Sequence, residues 1–137
     1  MLQSMTAVSV FGAYVAGSVR RGGPRREIRS PFDGRVVAVV DEASEADIDE
    51  ALAAAQAALA QTRALSSGQR AAICAEVGQR LAARREEFAL AICDEAGKPI
   101  SDAQAEVDRA VFCFELAAAE AVRGAAEGEL LPMDLRP

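Results

Sequence analysis

Residues 94–110 read DEAGKPISDAQAEVDRA. A run of helical character stops at the GKP sequence of residues 97–99, and a second run begins directly after it. Gly97 can adopt the left-handed conformation that ends a helix, and Pro99 cannot continue that helix because it lacks an amide hydrogen. Ser101 and the glutamine three residues later have the spacing of a capping box, which predicts the start of the next helix. The stretch therefore predicts a tight turn between two helices.

Four helices are predicted after residue 44 from apolar residues that recur every three or four positions. Ser44 precedes the first helix as an N-cap, Ser66 and Gln69 form a capping box before the second, and Glu86 lies at the start of the third. Each row of apolar residues predicts one helix face, and the faces on either side of GKP must meet the same core. The rows are Ile48, Leu52, Ala55 and Leu59; Ile73, Val77 and Leu81; Phe88, Ile92 and Ala96; and Val107, Val111, Phe114 and Ala118.

Extended structure is predicted before residue 41. Residues 35–40 read RVVAVV, and this run of β-branched side chains favours a strand that is buried on both faces. The SPFDG sequence of residues 30–34 is a strong turn signal, and residues 26–29 are the expected antiparallel partner on its other side. Two short segments, 13–15 and 18–20, predict a smaller hairpin.

Composition and charge limit the classes of function. The chain has 137 residues, enough for one domain, and its 51% hydrophobic and 26% charged content is that of a folded protein. The net charge of −6 opposes contact with a phosphate backbone, so no nucleic-acid partner is expected. An arginine cluster interrupts this acidity; it is interpreted as a charged, solvated turn, with a phosphate or partner contact as the alternative. It comprises Arg20, Arg21, Arg25, Arg26 and Arg29.

No membrane association is predicted. No stretch approaches the roughly 18 apolar residues that a membrane-spanning helix needs. The first residues lack the positive charge that precedes the apolar part of a signal peptide, so the expected location is cytoplasmic.

The three cysteines, Cys74, Cys93 and Cys113, are 19 and 20 residues apart, and the chain contains no histidine. This spacing fits no zinc site, and all three are predicted to be small buried thiols within helices. Arg70 and Arg109 lie four residues before Cys74 and Cys113, but an exposed arginine lowers the pKa of a thiol only slightly. No catalytic role is therefore assigned to a cysteine.

Four stretches, in this order and spacing, resemble the N-terminal part of the NAD(P)-dependent aldehyde dehydrogenase superfamily. The most specific is EAGKP at residues 95–99 followed by AEVDRA at residues 105–110, and the wording is closest to the lactaldehyde and phosphonoacetaldehyde dehydrogenase branch. The stretches are SPFDGRVVAVVDEASEADIDEALAAAQAA (30–58), LSSGQRAAICAEVGQRL (65–81), EEFALAICDEAGKPISDAQAEVDRA (86–110) and GELLP (128–132).

The resemblance implies a fold and a division of the chain. As it stands the chain is expected to be α+β, an N-terminal β-hairpin segment followed by about four α-helices. This is part of the family's α/β fold without its Rossmann-like sheet. Residues 1–12 are expected to be a flexible N-terminus, and residues 13–137 the N-terminal portion of a cofactor-binding domain. Within that portion the β segment spans 13–41 and the helical segment 44–128.

The resemblance also implies an activity for a complete member of the family, the oxidation of an aldehyde to an acid with NAD or NADP. The family's nucleotide loop, nucleophilic cysteine and general-base glutamate are expected after residue 137. No catalytic, cofactor-binding or metal-binding residue is therefore assigned in this chain, which is expected to be inactive and without cofactor when alone.

Two charged groups near GKP keep alternative interpretations. By resemblance, Asp108 is a candidate ligand of a structural monovalent cation. The alternative is that Asp102, Glu106 and Asp108 complement the helix dipole, with Glu106 pairing to Arg109. Lys98 is interpreted as a solvated or helix-capping cation.

A second function stays open beside the enzyme interpretation. Helices built to cover a sheet expose apolar faces where the sheet is absent, and such faces favour association. The chain is then a non-catalytic helical module. Its expected partner is either the remainder of an aldehyde dehydrogenase or a second copy of itself.

Overall fold

The computed structural model describes residues 8–123, which form five β-strands followed by four α-helices. The predicted α+β class is confirmed, and the predictions that concern residues 124–137, including the helical-segment boundary at residue 128 and GELLP, lie outside the described residues. The strands are β1 (Ser9–Phe11), β2 (Ala13–Val15), β3 (Ser18–Arg20), β4 (Arg25–Arg29) and β5 (Val36–Asp41). The helices are α1 (Glu45–Arg63), α2 (Ser67–Ala83), α3 (Arg85–Ala96) and α4 (Ile100–Val122).

Strand β5 is the centre of a three-stranded sheet. It pairs in parallel with β1, where Val10 lies opposite Val39, and antiparallel with β4, where Glu27 lies opposite Val39 from the other side. Ala38 is buried, but the four valines of β5 are only half-buried, so within the described residues the strand is less covered than the predicted burial on both faces. The antiparallel pairing across SPFDG and the strand itself, which begins one residue later than predicted, are confirmed.

The N-terminal edge of the β segment differs from the prediction. The hairpin of β2 and β3 has the predicted bounds, with Tyr14 opposite Val19. Strand β1, however, lies inside the segment 1–12, which was expected to be flexible. Three residues have no periodicity of their own, and β1 forms because β5 offers it a parallel edge.

Two of the predicted helix starts are confirmed as capping boxes. The Ser44 hydroxyl accepts a hydrogen bond from the Asp47 amide at 3.2 Å, and the Asp47 carboxylate accepts one from the Ser44 amide at 2.8 Å. Ser66 and Gln69 make the same pair of bonds at 3.2 and 2.8 Å. Each box satisfies amide groups that the first helical turn leaves without a partner.

The prediction that Ser101 caps the fourth helix is wrong. Gly97 ends α3 with φ 68°, as expected, and its amide donates to the Cys93 carbonyl at 2.9 Å. Pro99 then precedes α4, with its carbonyl accepting hydrogen bonds from the amides of Asp102 and Ala103, both at 3.0 Å. The turn is two residues shorter than the capping box requires, so Ser101 is already inside the helix.

The helical core is small and lies between α3 and α4. Ala89, Ala103 and Val107 are buried, and Phe88, Ile92 and Cys93 pack around them. This confirms that the helix faces on either side of GKP meet one core. Helix α2 packs along α4. None of the helices within residues 8–123 is both long and apolar enough to cross a lipid bilayer.

Candidate functional site

The two turns singled out in the sequence meet in space. The Pro31 ring lies against Gly97, where an added Cβ would be 2.9 Å from the Pro31 Cγ. Arg35, which directly follows SPFDG, forms an ion pair with Asp94 of α3. A cleft of about 380 Å³ lies at this junction and is lined by polar groups from both turns and by Phe32. Phe32 is 88% exposed. The junction fixes the β segment to the helical segment.

Lys98 projects from the same turn onto α4. Its ammonium group forms an ion pair with the Glu106 carboxylate, and Arg109 lies 3.9 Å from the same carboxylate. The hydrogen bond from Lys98 lowers the pKa of Glu106 below its ordinary value, and the charges of both cations act in the same direction. Lys98 is therefore paired across the turn, and the predicted pairing of Glu106 with Arg109 is the longer of the two contacts.

Both carboxylate oxygens of Asp108 are engaged by the Arg85 guanidinium. They accept hydrogen bonds from Nε and an Nη of Arg85, at 2.6 and 2.8 Å. This fork-like geometry lowers the pKa of Asp108, chiefly through the hydrogen bonds from Arg85. Both oxygens are thus engaged in joining α3 to α4, which leaves the cation role suggested by resemblance without support. Among residues 8–123, no group of three or more cysteines and carboxylates is placed to hold a metal ion.

Four of the five arginines in the cluster form ion pairs with acidic side chains. Arg20 pairs with Glu50 of α1 at 2.5 Å, and Arg25 pairs with Asp41 at 3.1 Å. Further ion pairs join Arg26 to Glu42 and Arg29 to Glu27. The cluster is therefore mostly neutralised where it lies, which supports the interpretation as a charged turn over that of a phosphate site.

Asp41 is the one buried carboxylate in this region, with its side chain only 2% exposed. It accepts hydrogen bonds from the Gly22 amide at 3.1 Å and from Nε of Arg25 at 3.1 Å. The Gly22 hydrogen bond is the main cause of its lowered pKa, and Arg25 adds to it. The arrangement anchors the turn between β3 and β4 to the end of β5.

The three cysteines lie on three different helices. Cys74 and Cys93 are partly buried in α2 and α3. Cys113 is exposed, so its predicted burial is wrong. One side of α4 packs against α2 and α3, and Cys113 lies at the edge of that contact. It borders an open apolar groove of about 310 Å³, which Leu81, Phe88, Ile92, Val107 and Ala110 line, with Glu106 and Arg109 at its rim.

Residues 19–136 match the sequence profile of the aldehyde dehydrogenase family. The chain belongs to this family. The resemblance read from SPFDG, EAGKP and AEVDRA is thereby confirmed, and so is the assignment of the fold to the N-terminal part of an aldehyde dehydrogenase.

Curated aldehyde dehydrogenases of several kinds are similar to the chain. The 3-sulfolactaldehyde dehydrogenase of Priestia aryabhattai is 30% identical over 136 residues, which are 99% of this chain and 28% of that protein. An N-succinylglutamate 5-semialdehyde dehydrogenase of Burkholderia cenocepacia is 40% identical over 103 residues, 75% of this chain and 20% of that protein. The chain thus spans between a fifth and three tenths of the length of these two relatives.

Solved aldehyde dehydrogenase structures share the backbone. Aldehyde dehydrogenase 21 of Physcomitrella patens superposes with a TM-score of 0.84 at 32% identity, over 96% of this chain and 27% of that one. Lactaldehyde dehydrogenase of Escherichia coli superposes with a TM-score of 0.81 at 25% identity, over the same shares of the two chains. The fold described above is therefore found within subunits more than three times as long.

Sequence reasoning found both turns of the junction but not their contact. Arg35 and Asp94 are 59 residues apart, and Arg85 and Asp108 are 23 apart. The sequence around a charged residue does not identify its ion-pair partner, because that pairing depends on how the helices and strands pack. Gly97 was predicted only as a helix end, and its close approach to Pro31 is visible only in the structure.

Proposed function

We propose that this chain forms the N-terminal portion of the cofactor-binding domain of an NAD(P)-dependent aldehyde dehydrogenase, and that it does not oxidise aldehydes by itself. The observation that carries the proposal is the family match over residues 19–136 together with the short span, 28% of the length of its 3-sulfolactaldehyde relative. An NAD-dependent aldehyde dehydrogenase of Sinorhizobium meliloti is among the similar structures, which supports NAD as the cofactor of the complete enzyme.

The residues of this chain support a structural contribution to that enzyme. Its ion pairs, such as Arg85 with Asp108, tie one element to another, and its cysteines lie within or beside helix contacts. In a complete enzyme NAD(P)⁺ accepts the hydride that leaves the aldehyde. In this proposal the junction of SPFDG with GKP holds the outer β segment and the helices in a fixed arrangement around the part that binds that cofactor.

The proposal is tested with two proteins. The purified 137-residue chain is mixed with NAD⁺ and 3-sulfolactaldehyde, and NADH formation is followed by absorbance, with the complete Priestia aryabhattai enzyme as positive control. We expect no NADH from the chain alone. A chimera in which this chain replaces the 136 matched residues of that enzyme is expected to form NADH. Turnover by the isolated chain, or a chimera that neither folds nor turns over, would contradict the proposal.

A non-catalytic interaction module is the second candidate, and one observation favours it. Large apolar side chains on α1 and α2 are about half exposed or more, including Leu52 at 65% and Ile73 at 53%. Exposed apolar faces of this kind promote association with another protein surface. Sedimentation of the isolated chain over a range of concentrations checks it: a monomer at all concentrations argues against self-association.

A further inference from the structure

Helix α4 carries large apolar side chains on the side that faces away from the core. Val107, on the inner side, is buried, whereas Phe112 and Leu116 are 61% and 49% exposed. At about 100° per residue, these two lie about 140° and 180° around the helix from Val107. The exposed residues on this side form what we call the outer α4 face: Ala105, Arg109, Phe112, Leu116 and Ala119.

The outer α4 face has the composition of a protein interface. Helices α2 and α3 pack against the inner side of α4. A helix that is apolar on opposite sides is typical of one that is covered on both. Phe112 and Leu116 are one helical turn apart, and aromatic residues and arginine are enriched where proteins meet. The outer face is therefore a candidate contact for a second protein surface.

A positive and a negative side chain lie near the two ends of this face. The Arg109 side chain is 73% exposed, and the carboxylate of Glu106, 3.9 Å away, is already paired with Lys98. Glu120 pairs with Arg123 at 3.0 Å and keeps 39% exposure. Glu120 follows Arg109 by three helical turns, so the two lie about 20° apart around the helix. Both charges thus border the same edge of the outer face.

This arrangement is self-complementary. When two copies of α4 lie antiparallel around a twofold axis level with Phe114, Phe112 of one copy meets Leu116 of the other. Arg109 then lies within one residue's rise of Glu120 of the other copy, on the same edge of the contact. The twofold axis repeats both contacts, as an interface between identical surfaces requires.

We propose that the outer α4 face joins two copies of the chain as an antiparallel helix pair. The proposal rests on the second candidate function given above and names the surface through which it acts; it does not depend on aldehyde oxidation. The net charge of −6 opposes a random encounter of two copies. Complementary charges therefore favour this face over the apolar residues of α1, whose first turn is acidic.

The test is sedimentation equilibrium of the 137-residue chain and its variants over a range of concentrations, with thermal midpoints as the check on folding. Leu116→Glu places a charge in the contact, and Ala57→Glu places the same charge on an exposed position of α1 as a matched control. Arg109→Glu sets two carboxylates against each other across the twofold axis. The double variant Arg109→Glu with Glu120→Arg restores opposite charges in reversed order.

We expect a dimer whose dissociation constant rises at least about tenfold with Leu116→Glu, because a charge would be buried without a partner, and stays unchanged with Ala57→Glu. Arg109→Glu should weaken the dimer, and the double variant should recover it; if Leu116→Glu does not fold, this charge swap decides alone. A monomer at all concentrations overturns the proposal together with self-association. A dimer that Leu116→Glu leaves intact, or that the charge swap does not recover, overturns the proposal alone. None of these outcomes bears on membership of the aldehyde dehydrogenase family.

Discussion

Gly97 holds the turn between α3 and α4 in a backbone conformation that side chains other than glycine adopt only at a cost. Its φ is 68°, and an added Cβ would also lie 2.9 Å from the Pro31 Cγ. One residue therefore ends a helix and admits the SPFDG turn to the surface of α3. The effect of the positive φ can be separated from that of the close approach to Pro31, because Gly34 has a similar φ of 74° but no atom within 4 Å of its added Cβ.

We predict that Gly97→Ala destabilises the chain more than Gly34→Ala. Both substitutions force an alanine into the left-handed region, which costs about 1–2 kcal/mol. Only Gly97→Ala adds a clash with Pro31, so its loss of unfolding free energy should be the larger by about 1 kcal/mol or more. Urea denaturation of the two variants measures the difference. Equal losses would show that the Pro31 contact can relax without cost.

Asp41 makes folding depend on pH in the acid range. Its pKa is lower in the folded chain than the ordinary 3.8, mainly because the Gly22 amide and Arg25 bind its charged form. The folded state therefore favours the ionised carboxylate. This contribution to stability is complete above pH 3.8 and is lost as the pH falls through the lower, folded-state pKa.

We predict that Asp41→Asn lowers the unfolding midpoint at neutral pH and reduces the further loss of stability between neutral and acid pH. The amide can no longer pair with Arg25 as an ion. Thermal denaturation across that range provides the measurement. The matched control is Asp33→Asn, because Asp33 is exposed and also faces an arginine, Arg35, at 3.2 Å. A pH profile of Asp41→Asn that runs parallel to the profile of the unsubstituted chain would contradict the role given to Asp41.

At the scale of elements, the starts of the helices differ in what caps them. Ser66 exchanges hydrogen bonds with Gln69 at the start of α2, whereas Ser101 lies inside α4 and its hydroxyl contacts only Asp102, at 3.3 Å. The two serines have the same local sequence pattern, with a glutamine three residues later. They are therefore a matched pair for asking what a capping box contributes.

We predict that Ser66→Ala lowers the free energy of unfolding by about 1 kcal/mol, the usual cost of a lost N-cap. Ser101→Ala should change it by less than about 0.5 kcal/mol, because alanine is at least as good within a helix. Chemical denaturation resolves the two. A loss at Ser101 equal to that at Ser66 would mean that α4 begins at the serine and not at Ile100.

The same pair of serines shows how far local sequence determines these elements. Turn residues were sufficient to predict the hairpin of β2 and β3, the run of β-branched residues predicted β5, and the apolar periodicity predicted the four helices. The predicted start of α4 was wrong because Pro99 and Ser101 are both plausible residues to precede a helix, and the local sequence does not decide between them. Strand β1 and the contact of Arg35 with Asp94 depend on partners dozens of residues away, which a local pattern does not contain.

At the scale of the whole molecule, the described part has little interior for its size. Its buried apolar residues are Val15, Ala38, Ala89, Ala103 and Val107, and no large side chain within residues 8–123 is fully buried. Much of the apolar surface that would stabilise a domain of this size is exposed on α1 and α4. The molecule is held together by helix contacts and by ion pairs, which contribute little each when exposed to solvent.

We therefore predict that the isolated chain is marginally stable, with an unfolding free energy below about 5 kcal/mol, the lower end of the range for natural domains. Val107→Ala, in the core and 3% exposed, removes two buried methyl groups and should cost about 1–3 kcal/mol. Val122→Ala, at a residue 65% exposed on the same helix, should cost less than about 0.5 kcal/mol. Urea titration tests all three values. A free energy above about 8 kcal/mol would mean that the apolar helix faces are already covered in the isolated chain, and that the rest of an aldehyde dehydrogenase is not what stabilises them.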